Sequence, residues 1–300
     1  MKYYLGIDIG GTNIRLGVVD GRGKVLARYR MPTLRRQGRD RVISRLFDAI
    51  KDIAASYDIK AIGIGCPGPL DSKKGIVLSP PNLPGWRNVR IKEMVGKRFR
   101  VPAAVENDAN CAGLGESVAG AGKRASSMVL FTLGTGIGSA IVLEGRLWTG
   151  KGGFASELGH VSVDINGPRC ECGNRGCIEL YVSATGVVRR MKKASGSKAA
   201  LTAEDVFRNA GRGDKKARKI VDETAYYLGC ALANIVNALD PELIVLAGGM
   251  TRAGRGFVRK AEQIMRKRAL RESSRAVKVT VSKLGDDAGL IGAAWRAKEL

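Results

Sequence analysis

Residues 3–19 read YYLGIDIGGTNIRLGVV, and a similar pattern returns at residues 127–143, SMVLFTLGTGIGSAIVL. In each stretch an apolar run leads into a glycine-rich turn, and a second apolar run follows the turn. Each stretch therefore predicts a β-hairpin, because a Rossmann fingerprint or a P-loop needs a helix directly after the glycines. Backbone N–H groups of such turns bind phosphate oxygens. The repeat predicts two related halves that grip one nucleotide; two unrelated hairpins are the alternative, but they leave the Gly-Thr pair of each turn unexplained.

One histidine and three cysteines follow the second hairpin, within residues 157–179, ELGHVSVDINGPRCECGNRGCIE. His160 is the only histidine of the chain, and Cys170, Cys172 and Cys177 are three of its six cysteines. Three thiolates and one imidazole make a complete tetrahedral zinc shell, which leaves no open position for a substrate. We therefore expect a structural zinc site. The alternative is a group of small buried cysteines beside a core histidine, without a metal.

Length, composition and charge restrict the class of protein. A chain of 300 residues with 44% apolar residues can form one large domain or two ordinary ones. No apolar run reaches the ~18 residues of a membrane span and no signal peptide precedes the first strand, so we expect a cytoplasmic protein without a membrane partner. The net charge of +23 suits a nucleic-acid binder, a protein that attracts anionic small molecules, or a solvated surface. The basic residues are spread over many segments, which favours the solvated surface.

The rest of the chain predicts strands and helices in alternation. Asp108 stands where a strand meets a helix, so it is either an N-cap or a functional carboxylate. Residues 66–86 are rich in Pro and Gly and predict a long functional loop, whereas Gly248-Gly249 lets a base or ribose approach the backbone closely. Further strands are predicted at residues 24–31, 60–65, 102–106, 243–247 and 277–281, and helices at residues 39–56, 107–119, 181–194, 203–211, 214–239, 255–269 and 287–298.

Taken together, these motifs resemble those of the ROK family of sugar kinases, within the actin, Hsp70 and sugar-kinase superfamily. The resemblance covers essentially the whole chain, and its most specific part is the cysteine cluster flanked by two glutamates. The matching motifs are Asp8-Ile9-Gly10-Gly11-Thr12-Asn13, Pro67-Gly68-Pro69, Pro81-Asn82-Leu83-Pro84-Gly85-Trp86, Glu106-Asn107-Asp108-Ala109-Asn110, Leu133-Gly134-Thr135-Gly136, Glu157-x-Gly159-His160, Cys170-x-Cys172-Gly173-x-x-Gly176-Cys177-x-Glu179 and Asp286-Asp287-Ala288-Gly289-Leu290-Ile291-Gly292-Ala293.

The resemblance implies an α/β fold with two ribonuclease-H-like domains, an interdomain cleft and a structural zinc site. The last helix is expected to return to the first domain. We therefore expect residues 1–120 and 286–300 to form a small N-terminal domain. Residues 121–285 are expected to form a large C-terminal domain that carries the zinc-binding insertion.

The resemblance also implies roles for individual residues. Asp108 matches the general base that takes the proton from a sugar hydroxyl, and Asp8 matches the residue that helps to place Mg2+. The implied sugar ligands are Gly68, Asn82, Asn107, Asp108, Glu157, His160 and Glu179. The implied nucleotide ligands are Asp8, Gly10, Gly11, Thr12, Asn13, Gly134, Thr135, Gly136, Gly248 and Gly249. The implied zinc ligands are His160, Cys170, Cys172 and Cys177.

The implied activity is that of an ATP-dependent hexose kinase which uses Mg2+ and acts on the 6-hydroxyl of glucose. Residues 81–86 look most like the glucokinase members, with mannose and glucosamine as further candidate substrates. Kinases for N-acetylglucosamine, N-acetylmannosamine and fructose share nearly all of these motifs. Ser139, Cys111 and Glu171 depart from the common family pattern, but none of them removes a chemical group that the reaction needs.

A second class of function is a sugar-responsive transcriptional regulator of the same family. Those members carry an N-terminal winged-helix domain, whereas here the Asp8 motif begins at once, so we expect no such domain and no specific nucleic-acid partner. The family resemblance further suggests a homodimer or a higher homo-oligomer, with hexose and ATP as ligands.

Overall fold

A computed structural model describes residues 2–196 and 199–300. The strands are β1 Tyr3–Ile9, β2 Asn13–Asp20, β3 Val25–Pro32, β4 Ile59–Cys66, β5 Leu70–Asp71, β6 Ile76–Val77, β7 Ala103–Asn107, β8 Ser127–Leu133, β9 Ile137–Leu143, β10 Arg146–Leu147, β11 Leu243–Ala247 and β12 Lys278–Val281. The α-helices are α1 Arg39–Ser56, α2 Ile91–Phe99, α3 Asp108–Ala119, α4 Glu179–Val182, α5 Ala184–Ser195, α6 Ala203–Gly211, α7 Lys215–Leu239, α8 Gly249–Ala253, α9 Arg255–Arg268, α10 Arg271–Ala276 and α11 Asp287–Lys298.

The chain separates into two compact units. The first unit runs to Arg124 and also contains Ala140–Ser156 and Lys283–Leu300. The second unit contains Ala125–Ser139 and Glu157–Ser282. The last helix, α11, therefore belongs to the first unit.

Two five-stranded sheets repeat one topology. The first sheet has the order β3-β2-β1-β4-β7 and the second has the order β10-β9-β8-β11-β12. In both, the first strand of the repeat lies at the centre, the next two strands extend one edge, and two later strands extend the other edge. The central strands pair in parallel with those later strands, β1 with β4 and β8 with β11. The internal repeat that the sequence predicts is thus confirmed at the level of strand order.

Helices cover both faces of the first sheet. One face packs its buried isoleucines and leucines against α1 and α2 in a continuous apolar core. Against the other face, α11 approaches so closely that a Cβ at Gly63 would collide with the carbonyl oxygen of Ala293. A glycine is therefore required at this crossing because any side chain would push the helix away from β4.

Several predicted elements differ from those observed. The predicted helix at residues 181–194 is two helices, α4 and α5, because Ser183 is extended and its hydroxyl caps α5 by accepting from the N–H of Gly186 at 3.0 Å. The predicted loop at residues 66–86 contains a short antiparallel pair, β5 and β6. Helix α2 lies outside the predicted helices, although Ile91, Met94, Val95 and Phe99 recur at helical spacing. Helices α8 and α10 have six residues or fewer and too few apolar positions to give a helical period.

No helix in residues 2–196 and 199–300 is both long enough and apolar enough to cross a lipid bilayer.

Candidate active site

Asp8 and the start of α3 lie at the same edge of the first sheet. Strand β4 lies between β1 and β7, and the register places Asp8 opposite Gly65 and Gly65 opposite Glu106. Because all three strands are parallel, their carboxyl ends meet at one edge, where ligands of open α/β sheets bind. Asp8 and Asp108 are close enough for the Asp108 carboxylate to raise the pKa of Asp8. The structure thus brings together two carboxylates that lie 100 positions apart in the sequence.

Asp108 is not the N-cap of α3. That position belongs to Asn107, whose Oδ1 accepts from the N–H groups of Ala109 at 2.9 Å and Asn110 at 3.2 Å. Asp108 Oδ1 also accepts from the Ala109 N–H, at 2.8 Å. Burial raises the pKa of Asp108 above its ordinary value, and the hydrogen bonds from backbone N–H groups partly oppose that rise. The carboxylate of Asp108 is therefore held at a helix start without being needed as the cap.

Glu106 stabilises the start of α3 through hydrogen bonds. Its side chain is 2% exposed, and Oε1 accepts from the Asn107 N–H and from Asn110 Nδ2, both at 3.0 Å. Its Oε2 lies 3.5 Å from Nε of Arg296 on α11, which supplies the opposite charge. A buried carboxylate is tolerated when it is paired in this way. Glu106 thus fixes the backbone that carries Asn107 and Asp108.

Asp8 carries a strongly perturbed carboxyl group. Burial, and then the charge of Asp108, raise the pKa of Asp8 to about 6, whereas Arg15 lowers it and Asp286 raises it slightly. Arg15 lies between the carboxylates of Asp8 and Asp286. One guanidinium nitrogen is 3.4 Å from Asp8 Oδ2 and the other is 3.4 Å from Asp286 Oδ2. An ionised Asp8 therefore costs folding free energy at neutral pH, as is common for a group kept for function.

Asp8→Asn is expected to stabilise the metal-free protein. The folded pKa of Asp8, about 6, exceeds the ordinary value of 3.8, so wild-type stability falls as the pH rises through this window. The asparagine avoids that loss: we expect a gain of about 2 kcal/mol in the free energy of unfolding at pH 7.5, shrinking to about zero near pH 4. Urea unfolding at both pH values measures this gain, with Asp52→Asn as the control, since Asp52 is exposed on α1 and is not among the groups that shift the pKa of Asp8. A wild-type protein that is more stable than Asp8→Asn at pH 7.5 would contradict the assignment.

The first glycine turn is held in shape by Thr33. The Gly10 N–H donates to the Asn13 carbonyl at 2.9 Å, and Thr33 binds the outer side of the turn through Oγ1 to the Gly10 carbonyl and through its N–H to the Thr12 carbonyl. A Cβ at Gly11 would lie 3.3 Å from the Asn82 side chain. The predicted nucleotide turn and the predicted sugar ligand Asn82 are therefore neighbours within the first unit.

Gly68 lies near another predicted sugar ligand of the first unit. A Cβ at Gly68 would lie 3.5 Å from Asn107 Nδ2. Since Asn107 Oδ1 is used in capping α3, its Nδ2 is the group that faces away from the helix start and can donate to a ligand.

The second glycine turn lines a cavity of about 470 Å³ in the second unit. The turn closes through a bond from the Gly134 N–H to the Gly136 carbonyl at 3.0 Å. Gly249, at the start of α8, lies on the same cavity, so two predicted nucleotide segments meet there although more than a hundred residues separate them. The volume suits one small organic ligand. The lining residues are Gly134, Thr135, Ala184, Ala203, Glu204, Gly249, Met250, Arg252 and Ala253.

Gly248 must be a glycine for two reasons. Its φ is +96°, and a Cβ there would collide with the backbone of Leu133 at the end of β8. We expect Gly248→Ala to destabilise the fold by about 2 kcal/mol, a typical cost of backbone strain, and to lower Tm in a thermal scan. Gly249→Ala is the matched control, since a Cβ at that neighbouring position meets no protein atom within 4 Å. Equal Tm values for the two variants would contradict this account of the turn.

His160, Cys170, Cys172 and Cys177 converge in the second unit. Their ligand atoms all lie within 4.8 Å of one another, with Sγ of Cys170 at 3.8 Å from Nδ1 of His160 and Sγ of Cys172 at 3.6 Å from Sγ of Cys177. Metal bonds of about 2.0–2.3 Å in a tetrahedron place ligand atoms at such separations. Gly173 and Gly176, both with positive φ, shape the turns between the cysteines. The four side chains therefore fit a tetrahedral metal ion.

The two glutamates that flank this cluster have different surroundings. Glu157 is exposed and its carbonyl accepts from the N–H of His160 at 3.0 Å. Glu179 begins α4 and is partly buried, with Oε2 accepting from the Ile137 N–H at 2.8 Å. Nδ1 of His160 faces Cys170, which leaves Nε2 for another partner.

Several residues of these sites have no sequence signal that would predict them. Glu204 and Arg252 line the cavity from α6 and α8, and each looks like an ordinary charged residue on a helix surface. Arg15 lies in the middle of β2, where alternation of exposed and buried side chains predicts only a solvated charge. Glu106 belongs to a sequence motif, but its role at the start of α3 depends on Arg296, which is distant in the chain.

The two sheets of like strand order, the carboxylates at the carboxyl ends of the parallel strands and the two glycine turns are typical of an α/β protein of the sugar-kinase class. The chain belongs to the ROK family, whose sequence model matches residues 4–300. A glucokinase of Halalkalibacterium halodurans is 35% identical over 99% of this chain and 96% of its own length.

Solved structures of ROK proteins show the same fold. The ROK hexokinase of Thermus thermophilus gives a TM-score of 0.91 at 34% identity over 99% of this chain and 98% of that chain. The ROK glucokinase of Streptomyces griseus, solved with glucose and AMPPNP, gives a TM-score of 0.83 at 32% identity. The match covers 99% of this chain and 100% of that chain. In contrast, a xylose repressor of Bacillus subtilis is 29% identical over 97% of this chain but only 75% of its own length.

Proposed function

We propose that this protein is an ATP-dependent hexose kinase that phosphorylates the 6-hydroxyl of glucose. The observation that carries the proposal is Asp108, a carboxylate held at the start of α3 beside Asp8 and not used as the helix cap. Similarity over nearly the full length of a glucokinase supports the same activity. Mannose and glucosamine are further candidate substrates, because sequence and fold leave the discrimination at C2 to the shape of loops.

The proposed reaction is an in-line phosphoryl transfer. Asp108 accepts the proton of the sugar 6-hydroxyl as that oxygen forms a bond to the γ-phosphorus of ATP, while the bond to the bridging oxygen of ADP breaks. The raised pKa of Asp108 makes it a better proton acceptor than an ordinary aspartate. Phosphoryl transfer depends mainly on positioning, so Glu106 and Asn107 contribute by fixing the backbone of Asp108.

Asp8 fits the role of placing Mg2+. A partly buried carboxylate next to a second carboxylate is a hard oxygen donor in a locally negative site, which suits a cation that binds with some of its waters retained. When bound, the ion neutralises charge on the donor phosphates. Arg15 keeps Asp8 oriented toward the edge of the sheet through their contact at 3.4 Å.

The proposed nucleotide ligands are the two glycine turns with Gly248 and Gly249. Their backbone N–H groups suit phosphate oxygens, and the cavity beside the second turn suits the nucleoside. The proposed sugar ligands are Gly68, Asn82, Asn107, Glu157, His160 and Glu179. These polar groups are held by α3, by residues 157–179 and by the loop after β4. They can form hydrogen bonds with a hexose, which carries hydroxyl groups around its ring.

The proposed metal of the Cys3His cluster is a structural zinc ion. Three thiolates and Nδ1 of His160 saturate a tetrahedral shell, so the ion has no open position and its contribution is to hold residues 157–179 in shape. In this proposal the zinc-bound segment, residues 157–179, holds the sugar ligands Glu157, His160 and Glu179 in place. We further propose that residues 1–120 with 286–300 form one domain and residues 121–285 another, and that the protein forms a homodimer or a higher homo-oligomer, as the family suggests.

A panel of hexoses tests the proposed activity. We expect ADP release from Mg-ATP in the presence of glucose, with lower or no turnover on N-acetylglucosamine, N-acetylmannosamine and fructose. Turnover of an N-acetylhexosamine or fructose in place of glucose would reassign the substrate but not the class. No sugar-dependent ADP release, together with a salt-sensitive gel shift on promoter DNA, would instead favour the regulator.

A further inference from the structure

Three hydrogen bonds tie the second glycine turn to the chain that directly follows the cysteine cluster. Oε2 of Glu179 accepts from the Ile137 N–H at 2.8 Å, and Oγ1 of Thr185 donates to the Thr135 carbonyl at 2.8 Å. The Ala184 N–H donates to the Gly134 carbonyl, also at 2.8 Å. Residues 179–185 thus hold the turn at Gly134, at Thr135 and at Ile137, directly after it.

The carboxylate of Glu179 also packs directly against the turn. A Cβ at Gly136 would lie only 2.6 Å from Oε2, so the glycine is what lets the carboxylate reach the Ile137 N–H. A hydrogen bond between a carboxylate and a backbone N–H is stronger than one between neutral groups. This contact therefore restricts the conformation of the turn more than an ordinary loop contact would.

The position of Glu179 is in turn set by the metal cluster. Only Ile178, which is fully buried, separates Glu179 from Cys177, and the Ile178 N–H donates to the Val161 carbonyl at 3.0 Å. The Leu180 N–H donates to the Cys177 carbonyl at 3.0 Å. A displacement of Cys177 is therefore transmitted to Glu179 over one turn of backbone.

We propose that the Cys3His cluster positions the second glycine turn through residues 179–185. Metal occupancy therefore sets the affinity for the donor nucleotide. Glu179 and Thr185 are the positioning residues. The part that concerns nucleotide affinity rests on the proposed kinase function, whereas the link between cluster and turn rests on the hydrogen bonds alone. Because linkage is reciprocal, nucleotide binding is also expected to raise the affinity for the metal.

Amide hydrogen exchange tests the link without any substrate. Peptides that cover residues 134–138 are compared in the zinc-loaded protein, in the protein stripped by a chelator and returned to Mg2+ buffer, and in Thr185→Val. We expect exchange of the Ile137 amide to be at least about tenfold faster after stripping, because a protected N–H exchanges through local opening. Thr185→Val, which keeps its shape but loses the hydroxyl, is expected to give a smaller acceleration. Unchanged exchange in both samples would overturn the proposal.

Calorimetric binding of Mg-ADP in the absence of sugar tests the consequence for the nucleotide. We expect Glu179→Ala and Thr185→Val to weaken binding by about threefold to tenfold, as the loss of about 1 kcal/mol of hydrogen bonding implies. Glu179→Gln retains an oxygen that can accept from the Ile137 N–H but loses the charge that strengthens this bond, so we expect it to weaken binding less than Glu179→Ala does.

Asp214→Ala is the control for a general loss of stability. It removes the N-cap of α7, whose Oδ1 accepts from the Ala217 N–H at 2.9 Å, and it lies outside the residues that line the cavity. We expect it to lower Tm and to leave ADP affinity unchanged. ADP affinities for Glu179→Ala and Thr185→Val that equal the wild type would overturn the nucleotide part. If wild-type zinc protein binds no ADP, the kinase function fails, and the exchange measurement still decides the link.

Discussion

Asp108→Asn is expected to lower kcat for glucose by about three orders of magnitude, within the range found when a general base is removed. The amide is nearly isosteric, and its oxygen can still accept from the Ala109 N–H as Asp108 Oδ1 does at 2.8 Å. What it loses is the ability to take the proton of the attacking hydroxyl. We therefore expect the Kd for glucose, measured by calorimetry, to stay within about threefold of the wild type.

Asp20→Asn is the matched control for this experiment. Asp20 closes the β2–β3 hairpin by accepting from the N–H groups of Arg22 at 2.8 Å and Lys24 at 2.9 Å, contacts that an asparagine oxygen preserves. We expect its kcat and Tm to match those of the wild type. Wild-type turnover by Asp108→Asn would show that another group accepts the proton.

Cys177→Ser is expected to remove the bound zinc and to affect both stability and sugar binding. Structural zinc is worth ~10 kcal/mol in zinc-finger peptides, but here the sheets and helices of the second unit keep their own core, so we expect a fall in Tm of about 10 °C. We also expect KM for glucose to rise by about tenfold or more, because Glu157, His160 and Glu179 lose their fixed positions. Metal analysis, thermal scans and steady-state kinetics measure the three effects.

Cys230→Ala separates the loss of a metal ligand from the loss of any buried cysteine. Cys230 is also buried, on α7, but it lies outside the Cys3His cluster. We expect it to retain one zinc per chain and a normal KM for glucose. Freshly purified wild-type protein without stoichiometric zinc, or Cys177→Ser that retains it, would contradict the zinc proposal.

The fold could be predicted from the sequence because its central units leave a local pattern. Each hairpin shows two apolar runs on either side of a glycine turn, and the two sheets indeed grow from these hairpins in the same strand order. The long helices α1, α7 and α11 were predicted nearly to the residue, because they are long enough to show a helical period. The short helices α8 and α10 contain too few apolar residues to show such a period.

The candidate site was predictable only where a motif is contiguous. The four residues of the metal cluster lie within eighteen positions, and the structure brings their ligand atoms together. By contrast, the bond between Glu179 and Ile137 joins residues 42 positions apart. The pKa of Asp8 depends on burial and on Asp108, Arg15 and Asp286, which are far apart in the sequence. Such contacts follow from the packing of elements, so no spacing in the sequence indicates them.

Surface charge is the feature that the proposed activity explains least directly. The net charge of +23 is spread over both units, and many basic side chains are paired with neighbouring carboxylates on the surface, such as Arg28 with Asp287 and Lys97 with Glu93. Exposed pairs of this kind add little stability. A positive surface does raise the local concentration of anionic ligands, which favours encounter with a nucleotide triphosphate.

The most direct test of the central claim is to identify the product by ³¹P NMR after incubation with Mg-ATP and glucose. The account predicts a sugar phosphate with phosphorus on the 6-oxygen and an equal amount of ADP, and it predicts no sugar phosphate when 6-deoxyglucose replaces glucose. Phosphorylation of 6-deoxyglucose, or the absence of any sugar phosphate from glucose in zinc-loaded wild-type protein, would contradict it.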